Sequence, residues 1–154
     1  MGKMYSVQFN AVGVTAAQDF FEVTAASTCS VIIHGWELGQ ASDYGDAQAE
    51  GLRLLLVRGH TTSGSGGSAP TPAALSSNVT AAASATEANN TTIASAGTAV
   101  TLFATAWNIQ AGHVMWFTPE CRPRIAPSER IVLRSPNTPA DSITISGTLF
   151  FEEI

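Results

Sequence analysis

Charge is scarce in this 154-residue chain: Lys and Arg number 7 and Asp and Glu 12, so 12% of residues are charged, against about 25% in a typical soluble domain. Lysine occurs once, at Lys3, and the net charge is −5. No basic cluster exists, so counterion release cannot drive nucleic-acid binding, and an anionic membrane surface repels the chain. Long apolar runs are missing as well, and no stretch reaches the roughly 18 residues that a membrane-crossing helix needs. The opening Met1-Gly2-Lys3-Met4-Tyr5-Ser6 has one positive charge and no apolar stretch behind it, so no signal peptide is expected. Only two cysteines occur. Cys29 and Cys121 match no metal or redox spacing, and they read as two buried free thiols rather than a disulfide.

Small neutral residues take the place of charge. Ala, Ser, Thr and Gly number 24, 15, 17 and 13, while Leu, Ile, Val and Phe together make 35. That apolar share lies above the level of about 20% below which disorder is expected. The length suits one domain spanning residues 1–154. A surface of small uncharged groups is what a protein presents when much of it meets other subunits.

The apolar pattern has period two. Ile143, Ile145, Gly147, Leu149 and Phe151 alternate with Ser142, Thr144, Ser146, Thr148 and Phe150, the mark of a half-buried antiparallel strand. Gly147 at its centre predicts a bulge or a close neighbouring backbone. Residues 130–134 form a second strand, ended by Pro136 and Pro139, and the two read as adjacent antiparallel neighbours. Further strands are expected at 4–12, 19–25, 28–38, 52–58, 99–108 and 113–118. Residues 52–58 are almost continuously apolar and read as buried on both faces. A helix near 46–50 is confined to about one turn by Gly45 and Gly51. About eight strands with almost no helical period predict an all-β fold, an antiparallel β-sandwich or jelly roll.

Residues 59–98 stand apart. Thirty-five of these 40 residues are Gly, Ala, Ser, Thr, Pro or Asn, and Glu87 is the only charge. Neither flank completes a core alone, so the segment reads as a long surface insertion between two sandwich strands rather than as an interdomain linker.

Chemistry is thinly signalled. His34, His60 and His113 lack the spacings that build metal sites, although Glu37 lies three residues after His34. No Gly-x-Ser-x-Gly elbow precedes a helix, and Gly64-Ser65-Gly66-Gly67-Ser68 lacks the lysine of a phosphate loop. The expectation is a protein with no catalytic, cofactor-binding or metal site. The sequons at Asn78, Asn89 and Asn90 arise in a Ser/Thr/Asn-rich stretch and are expected to be unused. Asp43, Asp46 and Glu50 have poor spacing for a calcium loop, and they read as acidic contacts to a neighbouring subunit. Arg122, Arg124, Arg130 and Arg134 suit pairs with Glu120 and Glu129 or with a partner's acidic surface. Asp43, Asp46, Glu50, Arg122 and Arg124 are therefore the candidate interface residues. Trp36, Trp107 and Trp116 are core fillers or sugar-stacking platforms, with Trp116 read as part core and part exposed edge.

The stretches Arg58-Gly59-His60-Thr61-Thr62-Ser63-Gly64-Ser65-Gly66-Gly67-Ser68, Glu87-Ala88-Asn89-Asn90-Thr91-Thr92, Pro127-Ser128-Glu129-Arg130 and Pro139-Ala140-Asp141-Ser142-Ile143-Thr144-Ile145-Ser146-Gly147-Thr148-Leu149-Phe150-Phe151-Glu152-Glu153 resemble the head decoration, or cement, proteins of tailed bacteriophages. The resemblance implies a jelly-roll-like sandwich without catalytic residues. It also implies a homotrimer on the outer surface of an icosahedral capsid, made in the host cytoplasm and clamping the phage's major capsid protein. A glycan- or receptor-binding sandwich of a phage tail or surface structure is the alternative. A metal-dependent jelly-roll enzyme is disfavoured by the missing His-x-His spacing.

Overall fold

The computed structural model describes residues 2–41 and 49–154. Alternating side chains build eleven strands: β1 (Lys3–Val14), β2 (Gln18–Thr24), β3 (Val31–Gln40), β4 (Gly51–Arg58), β5 (Ala73–Ala74), β6 (Ala85–Asn90), β7 (Val100–Asn108), β8 (His113–Trp116), β9 (Arg124–Ile125), β10 (Arg130–Ser135) and β11 (Ile143–Glu153). One 3₁₀ turn, Pro119–Cys121, separates β8 from β9. The strands form two antiparallel sheets. Sheet A has the order β5-β1-β11-β3-β8, with β9 also paired to β3; sheet B has the order β6-β2-β10-β4-β7.

Without β5, β6 and β9, each sheet has four strands, and successive strands cross between sheets from β1 through β4 and again at β7–β8, β8–β10 and β10–β11. This is the double Greek-key connectivity of a jelly roll. The expected β-sandwich is the observed fold. Eleven strands replace the expected eight or so, because β5, β6 and β9 are too short or too poor in large apolar residues to show an alternation.

β11 is the most regular strand, buried at every odd position from Ile143 to Glu153. Its inward residues meet Tyr5, Val7 and Phe9 of β1 and Val31, Ile33, Trp36 and Leu38 of β3 within one core. Sheet B closes that core with Phe21, Val23, Leu133 and alternate leucines of β4. The bulge expected at Gly147 lies on its partner. The β1–β11 register slips between Phe9 and Val12, and Ala11 takes φ 50 there. A Cβ on Gly147 would approach Leu38 to 2.7 Å and the Phe9 ring to 3.0 Å. Its neighbours are thus side chains rather than backbone.

Three further expectations are corrected, and a fourth lies mostly outside the described residues. β10 and β11 lie in different sheets, because residues 136–142, stiffened by two prolines, carry the chain across the sandwich. β4 is not buried throughout: Leu52, Leu54 and Leu56 are, but Arg53 is exposed and Leu55 half-buried. Cys29 and Cys121 are free, yet Cys29 is half-buried and Cys121 exposed. The helical turn near 46–50 falls mostly outside the described residues, and Ala49 and Glu50 are not helical.

Leu54 and Leu133 are fully buried in neighbouring parts of sheet B. Leu133→Ala is expected to cost about 2–5 kcal/mol through lost burial and the cavity left behind. Urea denaturation checks this through a lower midpoint at unchanged slope.

Candidate functional site

The insertion 59–98 is not a simple surface loop, and docking it organises most of the molecule's buried charge. Its strand β6 becomes the edge of sheet B against β2, and β5 pairs with Tyr5 and Ser6 of β1. Bridges at Thr62–Ser95, Ser65–Thr92 and Ser68–Ala88 hold its two arms antiparallel. At its mouth Gly59 (φ 92) and Gly97 (φ 72) let the arms touch, since a Cβ on Gly97 would lie 2.3 Å from the Gly59 carbonyl oxygen. Composition hid this, because small residues pack without any apolar alternation.

Ion pairs hold the arms down. Asp19 is fully buried, and its carboxylate takes Arg134 Nε at 2.5 Å and Nη2 at 3.1 Å. The Ala94 amide donates to Asp19 Oδ2 at 2.7 Å, and Arg134 Nη2 donates to the Ala94 carbonyl at 2.8 Å. Glu22, also buried, pairs with Arg130 Nε at 2.5 Å and accepts from the Ser63 hydroxyl and the Gly64 amide at 2.6 and 3.0 Å. Arg130 Nη1 donates to the His60 carbonyl at 3.2 Å. A third buried carboxylate, Glu153, accepts from the amides of Ala83 and Ser84. Beside it, burial pushes the Tyr5 phenol above its ordinary pKa, with the Glu153 charge adding to the effect. Tyr5 donates to the Thr80 carbonyl at 2.9 Å.

Arg130 and Arg134 therefore pair with Glu22 and Asp19, not with Glu120 or Glu129. Glu129 instead accepts from the Ala126 amide within its own turn. The other candidate contacts do not converge. Asp43 and Asp46 lie outside the described residues. Glu50 accepts from the Ala140 amide at 2.9 Å, at the end of the sandwich where β4 begins. Arg124 pairs with Ile32 near the start of β3 and donates to Ser30 Oγ at 3.2 Å; Arg122 precedes it, half-buried. The length of β3, about 27 Å from Ile32 to Gln40, separates Glu50 from Arg122 and Arg124.

The tryptophans divide. Trp36 and Trp107 are core residues, whereas Trp116 is 52% exposed on β8, with its ring centroid 4.9 Å from that of Phe150. Trp36 Nε1 donates to His113 Nδ1 at 3.1 Å. Burial holds the His113 pKa below its ordinary value. His34 Nε2 contacts Glu152 Oε2 at 2.9 Å rather than Glu37. No group of three or more His, Cys, Asp or Glu side chains comes together as a metal site among the described residues. No helix among them is long and apolar enough to cross a membrane.

What the fold defines is a class: a jelly-roll β-sandwich with an anchored insertion between β4 and β7. No family model, curated protein or solved structure matches the chain.

Two outcomes follow from these contacts. Arg134→Ala leaves Asp19 buried and uncompensated, an expected loss of about 3–5 kcal/mol. Asp19→Ala with Arg134→Ala is expected to cost less than the sum of the two single changes, which a double-mutant cycle measures. His113 binds its proton less readily folded than unfolded. Its contribution is therefore present above about pH 6.5 and is lost as pH falls below that value. His113→Gln, which keeps an acceptor for Trp36, is expected to flatten the fall in urea midpoint between pH 7 and pH 5.5.

Proposed function

We propose that this chain is a non-enzymatic virion structural protein, a capsid decoration protein that assembles as a homotrimer and binds the phage's major capsid protein. The observation that carries the reading is the outer strand of sheet B, whose free edge no other strand pairs among the described residues. The insertion covers the outer face from β6 to β4, where Ala94 packs with Val57, Val132 and half-buried Leu55. Beyond it, β7 is the last strand of the sheet, nine residues long, and carries neither charge nor proline. Val100 and Leu102 are exposed on it, as is Ile93 on the returning arm of the insertion.

Exposed edge strands normally carry lysine, proline or a cover against pairing. An edge left long, apolar and neutral suits contact with another subunit, and low charge lets surfaces meet without desolvating ions. A cyclic trimer needs a heterologous interface, in which β7 meets a different surface of the next copy. An interface of standard size, about 800 Å² per partner, suffices for stable association. The jelly-roll topology and the resemblance of the insertion and C-terminal stretches to decoration proteins support the same reading.

Light scattering coupled to size exclusion tests it. The expected mass is three times 16.0 kDa, falling to a single chain in Leu102→Lys, with co-sedimentation on capsids lost in step. A wild-type monomer that leaves capsids bare overturns the proposal.

A further inference from the structure

The outer face of sheet A bears a feature set apart from the β7 edge of sheet B. Trp116 pairs in register with Gly35 of β3, and Gly35 pairs in turn with Phe150 of β11. A Cβ on Gly35 would lie 3.0 Å from the indole Cε3 and 2.2 Å from the Met115 carbonyl oxygen. The missing side chain therefore lets the indole lie down on the sheet, steadied by Phe150, with about half its surface open to solvent.

One row along the sheet, about 6.8 Å away, Glu37 pairs in register with Val114 on one side and Thr148 on the other. Glu37 is exposed, and neither its carboxylate nor the Thr148 hydroxyl is bonded within the described residues. Beyond that row, Gly39 leaves open space where a Cβ would stand. Glu37, Gly39, Val114, Ser146 and Thr148 line a trough of about 390 Å³ there, a size within the usual range of small-ligand sites.

From this geometry we infer that the outer face of sheet A is a carbohydrate-binding surface for a neutral saccharide chain. The face of a sugar ring is apolar C–H and its rim is hydroxyl. A flattened, pre-positioned indole suits the first, since aromatic rings present a large rigid surface at little entropic cost. An unpaired carboxylate and a hydroxyl one row away suit the second, because Glu37 accepts from sugar hydroxyls in a charge-assisted bond. The charge pattern selects against acidic sugars. Glu37 lies in the trough, the His34–Glu152 pair lies beyond Trp116, and Arg124, further along the sheet, is turned to Ser30. The inference is independent of the trimer and of the capsid, so either reading can fail alone.

Intrinsic fluorescence tests it directly. Trp36 and Trp107 are buried, so Trp116 is the one indole that an added ligand can reach. The probes are hexasaccharides of glucose, mannose, galactose and xylose, with heparin as the polyanionic comparison. A blue shift with at least one neutral hexasaccharide and none with heparin is expected. Trp116→Ala should abolish binding measured by calorimetry, and Glu37→Gln should weaken it about tenfold. Both residues are exposed, so unchanged circular dichroism and melting will show that the variants fold. No response to any neutral probe at millimolar concentration overturns the inference, as does binding that survives Trp116→Ala. A change of oligomeric mass in Trp116→Ala without a saccharide response overturns it too, and assigns the face to a second copy of this chain.

Discussion

Two buried arginine–carboxylate pairs, Arg134 with Asp19 and Arg130 with Glu22, are the constraint on which the rest of this structure depends. Buried ion pairs are stabilising only when the geometry is good and the remaining hydrogen-bonding capacity is filled. Here the filling comes from the insertion, whose backbone at His60, Gly64 and Ala94 and whose Ser63 hydroxyl complete both pairs. The dependence runs both ways. The segment 59–98 has only Leu75, Val79 and Ile93 as large apolar residues, too few to dock it by burial alone. Backbone polar groups are what such a segment offers, and fixed charges are what bind them most strongly.

The same economy shapes the surface. Asp19, Glu22, Arg130, Arg134 and Glu153 are engaged inside, in a chain with 19 charged residues. The exterior is left poor in charge rather than free of it, and the two sheets expose different faces. Sheet B is covered across most of its outer side by the insertion and ends in β7, whose far edge is unpaired among the described residues. Sheet A keeps an open face on which Trp116, Phe150 and Glu37 stand in register. In the readings proposed above, one surface meets a protein partner and the other a saccharide. A jelly roll accommodates both because its outer faces are independent of the core between the sheets.

The strands that follow the two-residue period were legible because a sheet with one buried face writes that burial into every second position. β11 and the start of β1 show it plainly. β6, with the sequence Ala-Thr-Glu-Ala-Asn-Asn, carries no such signal, since only Ala88 joins the apolar core and its other buried residues are the polar Thr86, Asn89 and Asn90. Partner choice was illegible for a different reason. Glu120 and Glu129 lie near the arginines in sequence, but Asp19 reaches Arg134 across 115 positions because β2 and β10 are neighbours in the sheet. Likewise Glu50 and Arg124 seemed one polar surface, and the strand between them puts them at opposite ends. Trp116 was half legible: its place beside Met115 and Phe117 suggested part core and part exposed edge, but not the bare Gly35 beneath the ring.

Residue order alone was enough to specify an all-β sandwich, its eight principal strands, and a charge-poor composition with no basic cluster, because periodicity, turn residues and composition are local quantities. Pairing of strands across the two sheets, the docking of residues 59–98 and the placement of Trp116 beside Phe150 and Glu37 came from the folded chain. Each depends on which distant strands become neighbours, and that is settled by the packing of the whole core rather than by any segment within it.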